Sequence, residues 1–85
     1  MGRPEIKPRD WITIGWTECV VAQVYPVGDA RGDCEVVFNA DKPSNTDAVW
    51  VDSKWSFHPA SGAGYADRYE RLSEFVALVK TRSRG

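Results

Sequence analysis

The segment TECVVAQVY, residues 17–25, constrains the fold more than any other part of this chain. It is rich in β-branched residues, which favour strands, and successive side chains of a strand point to opposite faces of a sheet. A strand whose two faces are both largely apolar is buried on both, so the segment is predicted to be central. The two faces carry Val20, Ala22 and Val24 on one side, and Cys19, Val21, Gln23 and Tyr25 on the other.

Strands are predicted before and after this segment. DWITIGW, residues 10–16, alternates between two sets of side chains and contains Gly15, which indicates a bend or a bulge. CEVVFN, residues 34–39, resumes the β-rich pattern after a loop, residues 26–33, that holds one proline and two glycines. We therefore expect the central strand and CEVVFN to form a hairpin with a long loop.

A second hairpin is predicted over AVWVDSKWSF, residues 48–57. A tight turn at its centre places Trp50 near Trp55 across the hairpin. An aromatic pair of this kind contributes about 0.2–1 kcal/mol relative to an alanine pair. The preceding segment, residues 40–47, is rich in Pro, Asn, Ser and Asp and is predicted to be a loop.

The C-terminal segment YADRYERLSEFVALVKTR, residues 65–82, supports two interpretations. Its unbroken β-rich run FVALV favours one helical turn over residues 67–73, followed by a closing strand over residues 75–81. Aromatic and aliphatic residues also recur in it at helical spacing, which favours a single amphipathic helix over residues 66–80.

The first interpretation predicts a mainly β fold, a small SH3-like antiparallel barrel of about five strands with one helical turn near the C-terminus, because closure removes exposed sheet edges. The second predicts an α+β fold, a four-stranded antiparallel meander with the C-terminal helix. Residues 10–81 are expected to form a single domain between an extended arm, residues 1–9, and a basic tail, residues 82–85. A chain of 85 residues buries a small share of its surface, so a homo-oligomer is expected.

Charge is distributed unevenly along the chain. Arg3, Lys7 and Arg9 against Glu5 give the arm a net charge of +2, and the three basic residues of positions 80–85 give the C-terminus +3. Because the whole chain carries −1, the body between them carries −6. Binding to duplex nucleic acid needs lysine and arginine clustered on the folded surface. We therefore expect no nucleic-acid partner beyond weak contacts of the basic ends.

The N-terminal ten residues lack the apolar core of a secretory signal. The sequence also has no apolar run near the roughly 20 residues of a membrane helix. These features predict a cytoplasmic protein that has no membrane partner.

Two cysteines, Cys19 and Cys34, fall on neighbouring predicted strands. A symmetric hairpin loop places Tyr25 opposite Cys34, and Cys19 about 20 Å further along its strand. Because a disulfide needs Cα atoms within about 7 Å of each other, both thiols are expected to be free and buried.

Catalytic and metal-binding signatures are scarce. His58 is the only histidine, and no flanking residues of a nucleophile motif accompany it. One histidine and two separated cysteines provide no close-spaced metal ligands. Gly62 and Gly64 lack the Lys-Ser/Thr ending of a phosphate-binding loop, and the tripeptide at residues 31–33, Arg-Gly-Asp, suits a turn. We expect no catalytic residue, no metal and no cofactor.

Aromatic residues are the strongest indication of function. Four tryptophans exceed what one small core usually holds, and tryptophan is favoured at interfaces because it offers a large contact area at low entropic cost. Most are expected in the core and at least one at a partner surface, with Trp11, Trp16 and Tyr25 as further candidates for an exposed groove. The ligand is predicted to be a protein or a small planar molecule, bound without catalysis. The predicted site joins the second hairpin to the loop that follows it: Trp50, Trp55, His58, Tyr65 and Tyr69.

The string AQVYPV, residues 22–27, resembles the VQIYPV of plasmid-encoded type II dihydrofolate reductases, SH3-like barrels that assemble as tetramers around a central pore. The resemblance implies an enzymatic alternative, an NADPH-dependent reductase-like protein in which Gln23 and Tyr25 contact the substrate and cofactor. In that family the string lies late in the chain, whereas here it lies in the second predicted strand.

A broader pattern, formed by DWITIGW, GDCEVVFN and GYADRYERLSEFVALVK, resembles a group of short bacterial proteins without a known activity, some of them carried on mobile gene cassettes. This resemblance implies a cytoplasmic bacterial protein and no particular reaction.

Overall fold

The computed structural model describes residues 2–84, so that Met1 and Gly85, the outermost residues of the predicted arm and tail, lie outside the described residues. Within this range β1 and β5 lie against each other without a hydrogen-bonded ladder, which leaves a nearly closed barrel and confirms the predicted small SH3-like fold. Its five antiparallel strands follow one another in the sheet in chain order: β1 (Trp11–Ile14), β2 (Thr17–Val24), β3 (Cys34–Phe38), β4 (Ser44–Val51) and β5 (Lys54–Phe57).

The C-terminal part differs from the favoured prediction. The strand predicted over residues 75–81 is wrong, because these residues belong to a helix. The competing helix over residues 66–80 is closer, although the helix begins later and extends further than that prediction. The elements after β5 are a short strand that pairs with the start of β4, two 3₁₀ turns and one helix: β6 (Gly64–Tyr65), Ala66–Arg68, Glu70–Leu72 and α1 (Ser73–Arg84).

Burial along α1 explains why the segment is helical. Phe75, Val76 and Val79 are buried, whereas Ala77 is exposed. A strand would place Phe75 and Ala77 on the same face, but helical spacing brings the three buried side chains onto one face. The β-rich run is therefore apolar because one side of the helix packs on the sheet.

The hydrophobic core has two parts, and β2 contributes to both, which confirms its central place. One part fills the barrel interior, and the other lies between the outer face of the sheet and the C-terminal elements. The interior cluster contains Ile12, Ile14, Cys19, Val21, Cys34, Val36, Ala48 and Trp55. The outer cluster contains Val20, Ala22, Val37, Ala66, Leu72, Phe75, Val76 and Val79.

The N-terminal arm is attached to the barrel although it has no regular secondary structure. Ile6 packs against the interior cluster. The Arg3 guanidinium donates to the Asp33 carboxylate at 2.9 Å, and the Arg9 amide donates to the Val21 carbonyl at 2.8 Å. The side chain of Arg3 and the backbone of Arg9 therefore both attach the arm to the barrel.

The long loop between β2 and β3 contains the Arg-Gly-Asp tripeptide, which forms a turn as predicted. Gly32 has φ +117°, and a Cβ there would lie 2.9 Å from the Ala48 carbonyl oxygen, so the position requires glycine. Asp33 accepts a hydrogen bond from the Trp50 amide at 2.8 Å. The carboxylate of the tripeptide is thus used inside the fold.

Cys19 and Cys34 are free and buried, as predicted. Both belong to the interior cluster, and burial raises the pKa of each thiol to about 12, so both are neutral at pH 7. The predicted register is wrong by one residue: β2 is irregular between Val21 and Gln23, and Val24 rather than Tyr25 therefore lies opposite Cys34.

β4 begins four residues earlier than predicted, so the predicted loop over residues 40–47 is wrong for residues 44–47. Ser44 pairs with Phe38, and Asp47 pairs with Glu35. The polar side chains of this part of β4 fit a strand because they bond to other side chains on the sheet: Asn45 donates to Glu35 at 3.2 Å.

The hairpin of β4 and β5 confirms the predicted tryptophan pair. Trp50 lies directly opposite Trp55, with ring centroids 5.2 Å apart in an edge-to-face arrangement. The turn residues Asp52 and Ser53 have φ of 55° and 59°, the left-handed geometry of a type I′ turn.

Replacing Ser53 with glycine is expected to raise the free energy of unfolding by about 0.5–1 kcal/mol. The left-handed conformation costs a residue with a side chain about 1–2 kcal/mol, which exceeds the gain in unfolded-state entropy of about 0.4–1 kcal/mol that glycine brings. Urea denaturation followed by circular dichroism measures the change. Ser56→Gly, in the adjoining strand β5, is the control and is expected to lower stability. A Ser53→Gly protein no more stable than the parent contradicts the turn assignment.

Candidate functional site

A groove of about 500 Å³ lies where the β1–β2 hairpin, the end of β3 and α1 meet. We call it the Trp16 groove. Of its nine lining residues, five are aromatic or aliphatic, two are charged and two are otherwise polar. The lining residues are Trp11, Trp16, Thr17, Glu18, Phe38, Asn39, Ala40, Val79 and Arg82.

Trp16 is the most exposed large apolar side chain described, at 101% of its reference accessible surface. It occupies the two-residue turn between β1 and β2 together with Gly15, which has φ +60°. Because Ile14 and Thr17 on either side are paired in the ladder, the turn holds the indole beyond the end of the hairpin. At least one tryptophan is therefore exposed, and its predicted place at a partner surface stays a prediction.

Trp11 forms the half-buried wall of the groove. The guanidinium carbon of Arg82 lies 4.2 Å from its ring centroid, in a cation–π contact. Arg82 also donates two hydrogen bonds to the Glu18 carboxylate, at 2.8 and 3.0 Å. These bonds lower the pKa of Glu18 below its ordinary value. The rim of the groove therefore carries two opposite charges that neutralise each other.

The remaining surface of the groove comes from distant parts of the chain. Phe38 ends β3 and contacts Phe57, with ring centroids 5.1 Å apart. Val79 comes from α1 and is buried. The groove thus combines the aromatic rings of Trp11, Trp16 and Phe38 with the aliphatic side chains of Ala40 and Val79. Such a surface can stack against a planar group.

The structure does not gather the predicted site residues into one patch. Trp55 is buried in the barrel interior, and Trp50 is half-buried against the same cluster. His58 lies elsewhere, in a shallow pocket of about 340 Å³ that Arg31 and Asp47 also line. Its Nδ1 accepts a hydrogen bond from the Ala60 amide at 3.0 Å.

Tyr65 and Tyr69, the last two predicted site residues, are exposed. The Nζ of Lys42 lies 4.8 Å and the guanidinium carbon of Arg68 5.0 Å from the Tyr65 ring centroid. Arg71 lies beside Tyr69 at 5.3 Å. The loop therefore presents aromatic rings as expected, each accompanied by basic side chains.

Gln23 and Tyr25, which the reductase resemblance singles out, are tied into the fold. The Gln23 amide donates to Glu35 at 3.0 Å. Tyr25 is buried, and its hydroxyl donates to Asp47 at 2.6 Å; burial and this carboxylate together raise the pKa of the phenol. A substrate would have to break these bonds to use either side chain.

The sequence predicts some of the residues of the Trp16 groove and misses others. Trp11 and Trp16 are named there as candidates for an exposed groove, since tryptophan excess draws attention to every tryptophan. No sequence pattern marks Phe38, Val79 and Arg82 as site residues, because they meet at the groove only when α1 packs on the sheet.

Among residues 2–84, no three His, Cys, Asp or Glu side chains are grouped as a metal site would require, and no helix has the length and apolar character to cross a bilayer. Comparison with known proteins returned no matching family model, curated protein or solved structure. The function is therefore argued from the geometry of the Trp16 groove.

Proposed function

We propose that this protein is a non-enzymatic binding module that takes a planar apolar group, from a protein partner or a small ligand, into the Trp16 groove. The observation that carries the proposal is the fully exposed indole of Trp16 beside the half-buried Trp11, on the edge of a groove of about 500 Å³. A solvated tryptophan next to a recess that is partly apolar and partly polar is typical of surfaces where proteins bind partners.

The chemistry of the lining supports binding of a planar group. Aromatic rings prefer offset-stacked or edge-to-face contacts, which add about 0.5–1.5 kcal/mol to the burial of their surface. Glu18 and Arg82 already satisfy each other. The groove thus offers a ligand rings and aliphatic carbon beside a nearly equal polar surface, in which Thr17 and Asn39 supply hydrogen-bonding groups.

The two alternatives have less support from the contacts. Weak nucleic-acid binding depends on cations at the chain ends, and three of them, Arg3, Arg9 and Arg82, are paired with carboxylates of the fold. The reductase-like alternative depends on Gln23 and Tyr25, whose polar atoms bond within the fold.

Titration with N-acetyl-L-tryptophanamide, followed by the indole N–H signals in nuclear magnetic resonance spectra, tests the proposal. We expect saturable shifts of the Trp11 and Trp16 signals, and no shift of Trp50, which packs against the barrel interior. Trp16→Ala is expected to weaken binding about tenfold or more, as for a central interface tryptophan.

The control is Tyr65→Ala, which removes an exposed aromatic ring outside the groove. This variant is expected to bind the probe as the parent does. Absence of saturable shifts at Trp11 and Trp16, or equal weakening by both substitutions, overturns the proposal.

A further inference from the structure

We propose that the planar group which fills the Trp16 groove is Trp16 of a second copy of this chain, so that the protein forms a two-fold symmetric dimer. This inference rests on the proposed function of the groove and names its partner. Each copy inserts its indole beside Trp11 of the other, and both grooves are occupied at once.

The shape of the surface supports a two-fold contact. An interface between identical copies related by a two-fold axis uses the same patch twice, so that patch must carry both a protrusion and a recess. Trp16 is the protrusion, fully exposed on the hairpin tip, and it also borders the recess. A two-fold axis near the tip lets the Trp16 indole of each copy enter the groove of the other, so that both grooves are filled by the same contact.

The charges of the groove are compatible with this contact. Identical surfaces that meet across a two-fold axis bring like charges together unless each surface is locally neutral. Among the side chains that the structure describes, the charged lining residues are Glu18 and Arg82, and two hydrogen bonds pair them within each copy. Two neutral rims meet without repulsion.

The other exposed aromatic surface does not share this property. Lys42 and Arg68 both lie against Tyr65, and neither forms an ion pair among the described residues. A two-fold contact through Tyr65 would place four cations together. The Trp16 groove is therefore the surface that suits a second copy.

The expected interface is small. A tryptophan buries about 150–250 Å², so two indoles with their walls give an interface at the low end of the range, below about 1,200 Å² in total. We therefore expect a reversible dimer that dissociates on dilution.

Sedimentation equilibrium from about 10 µM to about 1 mM, where weak interfaces associate, tests the dimer. We expect a monomer–dimer equilibrium for the parent chain and a dissociation constant at least about tenfold higher for Trp16→Ala. Val27→Ala is the matched control, because Val27 is also highly exposed, at 82%, but lies outside the groove. It is expected to associate as the parent does. N-acetyl-L-tryptophanamide is expected to dissociate the parent dimer by competing for the groove.

A mixed sample of labelled and unlabelled chains locates the contact. We expect intermolecular nuclear Overhauser effects between the Trp16 indole and the Val79 methyl groups. A chain that stays monomeric while the probe still saturates Trp11 and Trp16 overturns the dimer and leaves the binding module intact. Failure of both dimerisation and probe binding overturns both proposals. A dimer that Trp16→Ala does not weaken overturns this interface.

Discussion

Replacing Arg71 with methionine is expected to lower the free energy of unfolding by about 2–3 kcal/mol at pH 7, since it removes charged hydrogen bonds from a buried carboxylate. That carboxylate belongs to Glu35 on β3, which is only 4% exposed. Arg71 donates to its two oxygens at 2.6 and 3.0 Å. Without the guanidinium, the donors left to Glu35 among the described residues are the amide groups of Gln23 and Asn45. The expected loss is below that for a fully buried pair because the Arg71 side chain is itself half-exposed.

The pH dependence distinguishes charge from packing in this prediction. Burial acts to raise the pKa of Glu35, but the hydrogen bonds from Arg71, Gln23 and Asn45 outweigh it, and the pKa lies below its ordinary value. In the parent, Glu35 therefore stabilises the fold above the unfolded-state pKa, and this contribution is lost as the pH falls through the folded-state pKa. In Arg71→Met, the remaining hydrogen bonds no longer outweigh burial, and the pKa of Glu35 is expected to rise. Protonation of Glu35 at lower pH then removes the cost of burying its charge, so the variant loses less stability than the parent as the pH falls.

Urea denaturation at pH 7 and pH 4 measures both effects. The stability difference between parent and Arg71→Met is expected to shrink at pH 4. Arg68→Met is the control: it removes a neighbouring surface arginine whose recorded contact is with the Tyr65 ring, and is expected to change stability by less than about 0.5 kcal/mol. A difference for Arg71→Met that is the same at both pH values would show that Arg71 acts through packing.

Replacing Leu72 with alanine is expected to lower the free energy of unfolding by about 3 kcal/mol, within the range measured for buried leucines. Leu72 is 1% exposed and lies in the outer cluster at the end of the second 3₁₀ turn, directly before α1. Its side chain fastens the start of the helix to the sheet. A domain of this size has only a few kcal/mol of stability, so the variant is expected to lose helical signal at a lower temperature or denaturant concentration than the parent.

Two further variants make this second prediction specific. Leu78→Ala is the same substitution on the same helix, but Leu78 is only partly buried against the cluster, and a loss of about 1 kcal/mol is expected. Leu72→Met keeps the side-chain volume, and a loss below about 1.5 kcal/mol is expected. Circular dichroism at increasing urea measures all three. Equal losses for Leu72→Ala and Leu78→Ala would contradict the anchoring role of Leu72.

The polar network around Glu35 explains one error of sequence interpretation. Residues 44–47 are polar and resemble a loop, yet they pair with β3. Asn45 bonds to Glu35, and Asp47 accepts from Tyr25. Local composition indicates a loop because polar residues usually face water. Here their side chains instead bond to Glu35 of β3, to Tyr25 directly after β2, and to Ser61 in the loop after β5. None of those partners is adjacent in sequence.

The candidate site was also predicted in part from the sequence and in part missed. A tryptophan excess predicts that some indole is exposed, and Trp16 is. Which one is exposed depends on position: Trp55 alternates into the barrel, whereas Trp16 occupies a two-residue turn with nothing above it. The predicted patch of Trp50, Trp55, His58, Tyr65 and Tyr69 follows closeness in sequence, but alternation along β5 and the turn of the chain after it direct these side chains to different surroundings.

The sequence by itself determined the central strand, the Trp50–Trp55 hairpin, the glycine-dependent turn at Gly32 and the free thiols. Each of these depends on alternation, turn chemistry or short-range spacing, which act between residues close in the chain. Only the tertiary structure decided that FVALV is helical and that Trp11, Phe38, Val79 and Arg82 meet around the Trp16 groove. Both follow from α1 burying its apolar face on the outer side of the sheet, and the free energy of that burial comes from residues far apart in sequence, which no local pattern contains.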